Sequence, residues 1–97
     1  MGKVMQPAQA GTLESNDISI IVAPAEPGSG IVVELDSIVL AQYGDSIRNV
    51  IITTVQRSGV TDVLIKALDK GALDCTIEAR TLAALARAGV KTEGGNS

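Results

Sequence analysis

The sequence predicts one α+β domain in which two helices lie on one face of a mixed sheet of three or four strands. The chain has 97 residues, a length that suits a single domain with its own core. Short apolar segments of alternating character are bounded by glycine and proline, as strands usually are. Two longer segments repeat apolar residues at helical spacing, and one of them stands between two strands, which favours a parallel crossover.

The N-terminal half is expected to supply the first strands. Residues 1–10 form a lead that we expect to be flexible, apart from some pairing at the edge of the sheet. Thr12 and Leu13 are expected to begin a short strand. Two apolar segments then follow as strands of a hairpin with a long turn rich in proline and glycine, at residues 18–23 and 31–35.

The C-terminal half is expected to alternate helix, strand and helix. Asp36 or Ser37 could cap the first helix, but the β-branched residues that follow and Gly44 oppose an early start. We therefore place this helix at 45–57, with Asp45 near its positive end. The remaining segments are a strand at 61–68, a helix at 72–88 closed by Gly89, and a flexible tail at 90–97. The buried stripe of the last helix is expected to consist of Cys75, Ala79, Leu82 and Ala86, flanked by Ala83 and Leu85.

Composition argues against several classes of function. The chain has no histidine and one cysteine, so it lacks the usual groups for proton transfer and for a zinc or iron–sulfur site. An independent enzyme is therefore not expected. The net charge is −3 with no basic cluster, which argues against a nucleic-acid partner. No segment resembles a secretory signal or a membrane span, and a lone cysteine suits a reducing compartment, so we expect a cytoplasmic protein.

The segment GTLESND, at residues 11–17, carries the candidate site. Its glycine, serine, asparagine and aspartate favour a turn, with Ser15 at the centre. A short polar cluster between apolar segments is most often only a loop. No base stands beside Ser15 in the sequence to activate its hydroxyl as a catalytic nucleophile. If Ser15 has a chemical role, we expect it to be a point of attachment.

The same segment resembles a known family when it is read with two others. GTLESND, QYGDSIR at 42–48 and DKGALDCTIEAR at 69–80 are similar to the acyl carrier (gamma) subunit of citrate lyase, in the same order and over residues 6–88. In that family the serine of GTLES holds 2'-(5''-phosphoribosyl)-3'-dephospho-CoA through a phosphodiester bond. The resemblance therefore implies that Ser15 is the covalent attachment site. The family pattern has glycine after this serine, whereas Asn16, which also enters the left-handed region readily, stands here.

The resemblance also implies a function and partners. The chain would be a non-catalytic subunit that carries the acetyl or citryl thioester while citrate is cleaved to acetate and oxaloacetate. Its partners would be the alpha subunit (acyl transferase), the beta subunit (citryl lyase) and a prosthetic-group transferase. Two alternatives stay open: the carrier of a sister system, citramalate lyase or malonate decarboxylase, or an unmodified binding or assembly domain. No dinucleotide-binding glycine pattern or P-loop supports the last of these.

Several charged residues near the candidate site have competing interpretations. Glu14, Asn16 and Asp17 are candidates for recognition by partner enzymes. Carboxylates at turns and helix starts are more typical of caps and solvated charges than of metal ligands, and the candidates here are Glu14, Asp17, Asp69 and Asp74. Arg48 and Arg80 are expected to be solvated, with contact to a phosphate of the prosthetic group as the alternative.

Three further side chains are assigned to the core. Cys75 is expected to pack as a small hydrophobe on the last helix, although a position near a helix N-terminus would lower the pKa of an exposed thiol. Tyr43 and Ile47 are expected to anchor the first helix, with stacking of the tyrosine on the cofactor as the alternative.

Overall fold

The computed structural model of the protein describes residues 3–91, which form a four-stranded mixed sheet and two helices. In chain order the elements are β1 (Ala8–Ala10), β2 (Ile18–Pro24), β3 (Ile31–Ser37), α1 (Leu40–Arg57), β4 (Val63–Asp69) and α2 (Asp74–Arg87). The predicted α+β class is confirmed. No helix within residues 3–91 is both long and apolar enough to cross a membrane, and the predicted cytoplasmic location stays a prediction.

The strand order of the sheet is β1-β2-β4-β3. β2 is antiparallel to both β1 and β4, whereas β3 and β4 are parallel, as the β3–α1–β4 sequence predicted. The predicted hairpin of β2 with β3 is wrong, because β4 lies between them. The physical reason is burial: Val63, Ile65 and Ala67 of β4 are at most 2% exposed, so this strand gains most from a central position.

One face of the sheet carries the core. Alternate residues of β2, Ile18, Ile20 and Val22, are fully buried, as their spacing indicates. The helices cover this face with two apolar sets: Ile47, Ile51 and Val55 from α1, and Ile77, Ala84 and Leu85 from α2. The opposite face carries Ile21 and Leu68 and remains exposed.

The first helix begins at Leu40, earlier than the predicted start at residue 45. Asp36 and Ser37 do not cap it, because β3 continues through Ser37. The Ser37 hydroxyl instead donates to Asp69 Oδ2 at 2.7 Å and accepts from the Val39 N–H at 3.1 Å. Asp45 is consequently the sixth residue of α1, outside the first turn, and the predicted interaction with the helix dipole is wrong.

The predicted buried stripe of α2 is also wrong. Cys75, Ala79, Leu82 and Ala86 are all exposed. The buried side chains follow the same helical spacing on another face: Ile77, Thr81, Ala84 and Leu85. Two large aliphatic side chains make burial of that face more favourable, and the Thr81 hydroxyl is satisfied because it donates to the Ile77 carbonyl at 2.8 Å.

The N-terminal lead is partly integrated into the fold. Edge pairing is confirmed in β1, and Val4 is buried, while the Met5 N–H donates to the Ala88 carbonyl at 2.9 Å. Thr12 and Leu13 lie in a loop, so the strand predicted there is wrong. Of the predicted tail at 90–97, residues 92–97 lie outside the described residues, and the flexibility of both ends stays a prediction.

Candidate attachment site

Ser15 lies at the tip of the loop that connects β1 and β2. Residues 15 and 16 form a turn, and the Ser15 side chain is exposed, as the sequence predicted. None of the hydrogen bonds formed among residues 3–91 uses the Ser15 hydroxyl. The hydroxyl is therefore open to an incoming reagent, and nothing in this part of the chain accepts its proton.

The backbone at Asn16 is in the left-handed region, with φ 66°, and it is the only non-glycine residue among residues 3–91 with a positive φ. This confirms that asparagine adopts the left-handed conformation at this position, where the family pattern has glycine. The Asn16 N–H donates to the Lys70 carbonyl at 2.7 Å, and the Lys70 N–H donates to the Asp17 carbonyl at 2.9 Å. Two backbone hydrogen bonds thus join the loop to the segment that follows β4.

The Asp17 carboxylate stabilises the loop through several hydrogen bonds. Its Oδ2 accepts from the Thr12 hydroxyl at 2.7 Å and the Thr12 N–H at 3.1 Å, and its Oδ1 accepts from the Ile18 N–H at 2.7 Å. Arg80 Nε donates to Oδ1 at 3.0 Å. The hydrogen bond from Thr12, then those from Arg80 and Ile18, hold the pKa of the Asp17 carboxyl well below its ordinary value. Thr12 also accepts from the Glu14 N–H at 3.2 Å, which fixes the approach to Ser15.

Gly11 is required by the same geometry. Its φ is +89°, and a Cβ there would lie 1.8 Å from the Ile18 carbonyl oxygen, far inside contact distance. The loop can therefore return along β2 only with glycine at this position. Gly11 and Asp17 together make the loop a fixed support from which Ser15 projects.

The three segments that resemble the citrate lyase carrier meet at this end of the fold. The ion pair of Asp17 with Arg80 joins the first to the third, across 63 positions of sequence. The second contributes Tyr43 and Ile47, which line a groove of about 310 Å³ together with Gly71 and other residues of the third segment. These contacts could not be predicted from local sequence patterns, because the residues are far apart in the chain. The one available indication was that all of them belong to the three segments that resemble the family.

The two arginines of the matched segments both lie beside aspartates. Arg80 is 42% exposed, but its guanidinium is engaged by Asp17, which is itself 13% exposed. Arg48 Nη1 lies 3.9 Å from Asp45 Oδ1, a loose pair at the surface. Contact of either arginine with a phosphate of the prosthetic group stays a prediction.

The structure confirms some of the roles predicted for the other candidate residues and contradicts others. Cys75 is exposed, so its predicted packing in the core is wrong. Ile47 is buried as predicted, whereas Tyr43 is 54% exposed and does not anchor the core. Asp69 is buried and accepts hydrogen bonds from the Gly71 and Ala72 N–H groups at 3.1 and 3.0 Å, so it stabilises the turn after β4 and is neither a cap of α2, whose N-cap is Leu73, nor a solvated charge. Among residues 3–91, no group of three or more histidine, cysteine or acidic side chains is placed to hold a metal ion.

A hydrogen-bonded loop presents the Ser15 hydroxyl to solvent, and no acid or base among residues 3–91 contacts it, an arrangement that suits a point of attachment better than a catalytic centre. Residues 5–88 match the acyl carrier family model described as malonate decarboxylase delta subunit (MdcD). The chain is 55% identical over 86 residues to the citrate lyase acyl carrier protein of Streptococcus equi subsp. equi, covering 89% of this chain and 83% of that protein. The corresponding protein of Lacticaseibacillus casei is 51% identical with the same coverage. The chain belongs to the citrate lyase acyl carrier protein family and is a non-catalytic carrier subunit.

A more distant likeness is confined to the fold. One chain of a solved structure, the crystal structure of a Pseudomonas malonate decarboxylase hetero-tetramer in complex with malonate, matches with a TM-score of 0.75. The match covers 90% of this chain and 88% of that chain, at 17% sequence identity. The two chains therefore share an architecture.

Proposed function

We propose that this chain is the acyl carrier subunit of a citrate lyase and that Ser15 holds 2'-(5''-phosphoribosyl)-3'-dephospho-CoA through a phosphodiester bond. The observation that carries the proposal is the exposed Ser15 hydroxyl on a hydrogen-bonded loop, within the segment that matches the family attachment motif. The identity of 51–55% to citrate lyase carriers, against 17% to the malonate decarboxylase chain, supports this assignment over the sister system. Citramalate lyase stays the nearest alternative.

The residues around Ser15 suit a bulky attached nucleotide. The side chains on either side of it are exposed, namely Leu13, Glu14 and Asn16. A large group attached to Ser15 would therefore not be in steric conflict with these neighbours. When the bond forms, Ser15 Oγ displaces a phosphate or pyrophosphate leaving group from the phosphorus of an activated donor nucleotide and becomes a bridging oxygen of the phosphodiester. Because no described residue accepts its proton, the base that removes the proton must belong to the modifying transferase.

The attached group supplies a terminal thiol on which acyl groups are carried as thioesters. The contribution of this chain is to fix the anchor point, since the Asp17 hydrogen bonds and the backbone pairs to Lys70 restrict the loop. A fixed anchor on a small domain keeps the carried group at high effective concentration near successive active sites. Those sites belong, in this proposal, to an acyl transferase (alpha) and a citryl lyase (beta) subunit.

Recognition by the transferase is proposed to involve the side chains that flank Ser15. Glu14 and Asn16 are exposed and available to it. Asp17 takes part less directly, because its oxygens are occupied by Thr12, Ile18 and Arg80. Its effect on recognition is exerted through the shape of the loop.

The test is the intact mass of the chain expressed with and without the lyase and transferase genes. We expect a heavier form only with those genes, increased by the mass of the phosphoribosyl-dephospho-CoA group. Ser15→Ala should abolish the increase, whereas Ser29→Ala, an exposed serine in the loop between β2 and β3, should retain it. A heavier Ser15→Ala form would overturn the assignment of the site, and recovery of a decarboxylase with the carrier would overturn the assignment to citrate lyase.

A further inference from the structure

Exposed apolar side chains are concentrated at the end of the fold that carries Ser15. Among residues 3–91, ten large hydrophobic residues are exposed, and five of them lie at this end. These five, called the corner patch, are Leu13, Ile38, Leu40, Tyr43 and Leu73, and they are 45–71% exposed. Of the other five, Ile21, Val32 and Leu68 lie on the open sheet face, where Leu68 lines a cavity with Ile38, and Leu82 and Met5 lie on α2 and at the opposite end. Single exposed hydrophobic residues are ordinary, but a cluster marks an interaction surface.

The corner patch is continuous with the attachment loop. A Cβ placed at Gly71 would lie 3.6 Å from Asn16 Oδ1 and 3.8 Å from Ile38 Cδ1, so these side chains approach one another over Gly71. Leu73 and Tyr43 line one groove beside the same glycine. The corner patch therefore begins at Leu13, two residues from Ser15, and extends across the starts of both helices.

Three exposed acidic residues lie at the same end of the fold as this patch. Glu14, Asp36 and Asp74 are exposed at this end, whereas the half-buried Lys70 offsets one of their charges. A symmetric dimer through the patch would bring the same acidic residues of two copies together, which is unfavourable. A partner with an apolar contact surface and basic residues around it is complementary in both respects.

We propose that the corner patch is the docking surface for a partner protein of the same lyase complex, one whose contact surface is apolar and rimmed by lysine or arginine. This inference rests on the proposed function, because a partner that handles a group held by Ser15 must approach this end. The apolar side chains supply the binding energy and the acidic residues orient the approach. The open sheet face differs from the corner patch because two charged residues, Lys66 and Glu34, lie opposite each other on neighbouring strands and interrupt its apolar surface.

The experiment measures binding of the unmodified chain to the alpha and beta subunits of the same lyase, purified together without the carrier. The test variant is Ile38→Ser with Leu73→Ser, and the matched control is Ile21→Ser with Leu82→Ser, which removes the same residue types elsewhere on the surface. We expect the test pair to raise the dissociation constant about tenfold or more and the control pair to change it less than about twofold. Glu14→Gln with Asp74→Asn should weaken binding and reduce its dependence on salt.

Each other outcome contradicts the proposal. Equal weakening by the control pair would place the partner on another face, and unchanged binding by the test pair would exclude the corner patch. Sedimentation of the unmodified chain alone tests the remaining occupant: a dimer that Ile38→Ser with Leu73→Ser dissociates would assign the patch to a second copy. Because the unmodified chain is used, these results do not depend on attachment at Ser15, which the mass measurement tests separately.

Discussion

Replacement of Gly11 by alanine tests whether the attachment loop is as tightly constrained as its contacts indicate. Two costs add at this position. The φ of +89° is unfavourable for alanine by about 1–2 kcal/mol. In addition, the new Cβ would lie 1.8 Å from the Ile18 carbonyl oxygen, so the loop or the start of β2 must move. Backbone shifts forced by overpacking typically cost about 1–3 kcal/mol.

Gly28→Ala is a matched control for this substitution. Gly28 has a φ of +90°, and nothing lies within 4 Å of the position that its Cβ would take. It therefore carries the conformational cost without the collision. We expect Gly28→Ala to lose about 1–2 kcal/mol and Gly11→Ala about 2–5 kcal/mol of the free energy of unfolding.

Urea denaturation of both variants measures the difference. With a slope of about 1–2 kcal/mol per molar urea for a chain of this size, the collision cost of about 1–3 kcal/mol places the midpoint of Gly11→Ala about 0.5–3 M below that of Gly28→Ala. Movement of the loop should also slow modification of Ser15 in Gly11→Ala and leave Gly28→Ala unaffected. Equal midpoints for the two variants would refute the reasoning, because they would show that the contact with Ile18 is relieved at no cost.

Two further predictions concern the residues that follow Ser15. Asn16→Gly should leave the free energy of unfolding equal or slightly higher, whereas Asn16→Val should lower it by about 1–2 kcal/mol, since a β-branched residue resists φ 66°; similar urea midpoints for the two variants would contradict this. The depressed pKa of Asp17 adds stability that is complete above its ordinary value, near pH 4, and is lost as the pH falls towards the lower folded value. The deficit of Asp17→Asn relative to the native chain should therefore be largest at pH 7 and shrink at pH 3, and a deficit independent of pH would show that the carboxylate charge does not stabilise the loop.

Which elements could be predicted depended on how local their causes were. The alternation of β2 and β4 fixed their buried faces, because a strand places every second side chain on the same side. In α2 the same kind of argument selected the face of Cys75, which is exposed in the structure. Alanines repeat on several faces of this helix, so the sequence pattern alone does not show which face is buried. The extension of β3 to Ser37 was missed because its cause is remote: Ser37 pairs with Asp69 in the neighbouring strand.

The candidate site shows the same division between local and remote causes. The sequence by itself determined that Ser15 stands in a turn, because glycine, asparagine and aspartate around it favour such a conformation whatever surrounds them. It also determined the family, through three segments in a fixed order. Only the tertiary structure decided that Asp17 is bound by Thr12 and Arg80, that Gly11 lies against Ile18, and that the exposed hydrophobic residues meet beside Ser15. The contact of Asp17 with Arg80 spans 63 positions of sequence, so only folding brings these two side chains together. The contacts of Asp17 with Thr12 and of Gly11 with Ile18 are closer in sequence, but they depend on the path that the loop takes between β1 and β2, which turn propensity does not specify.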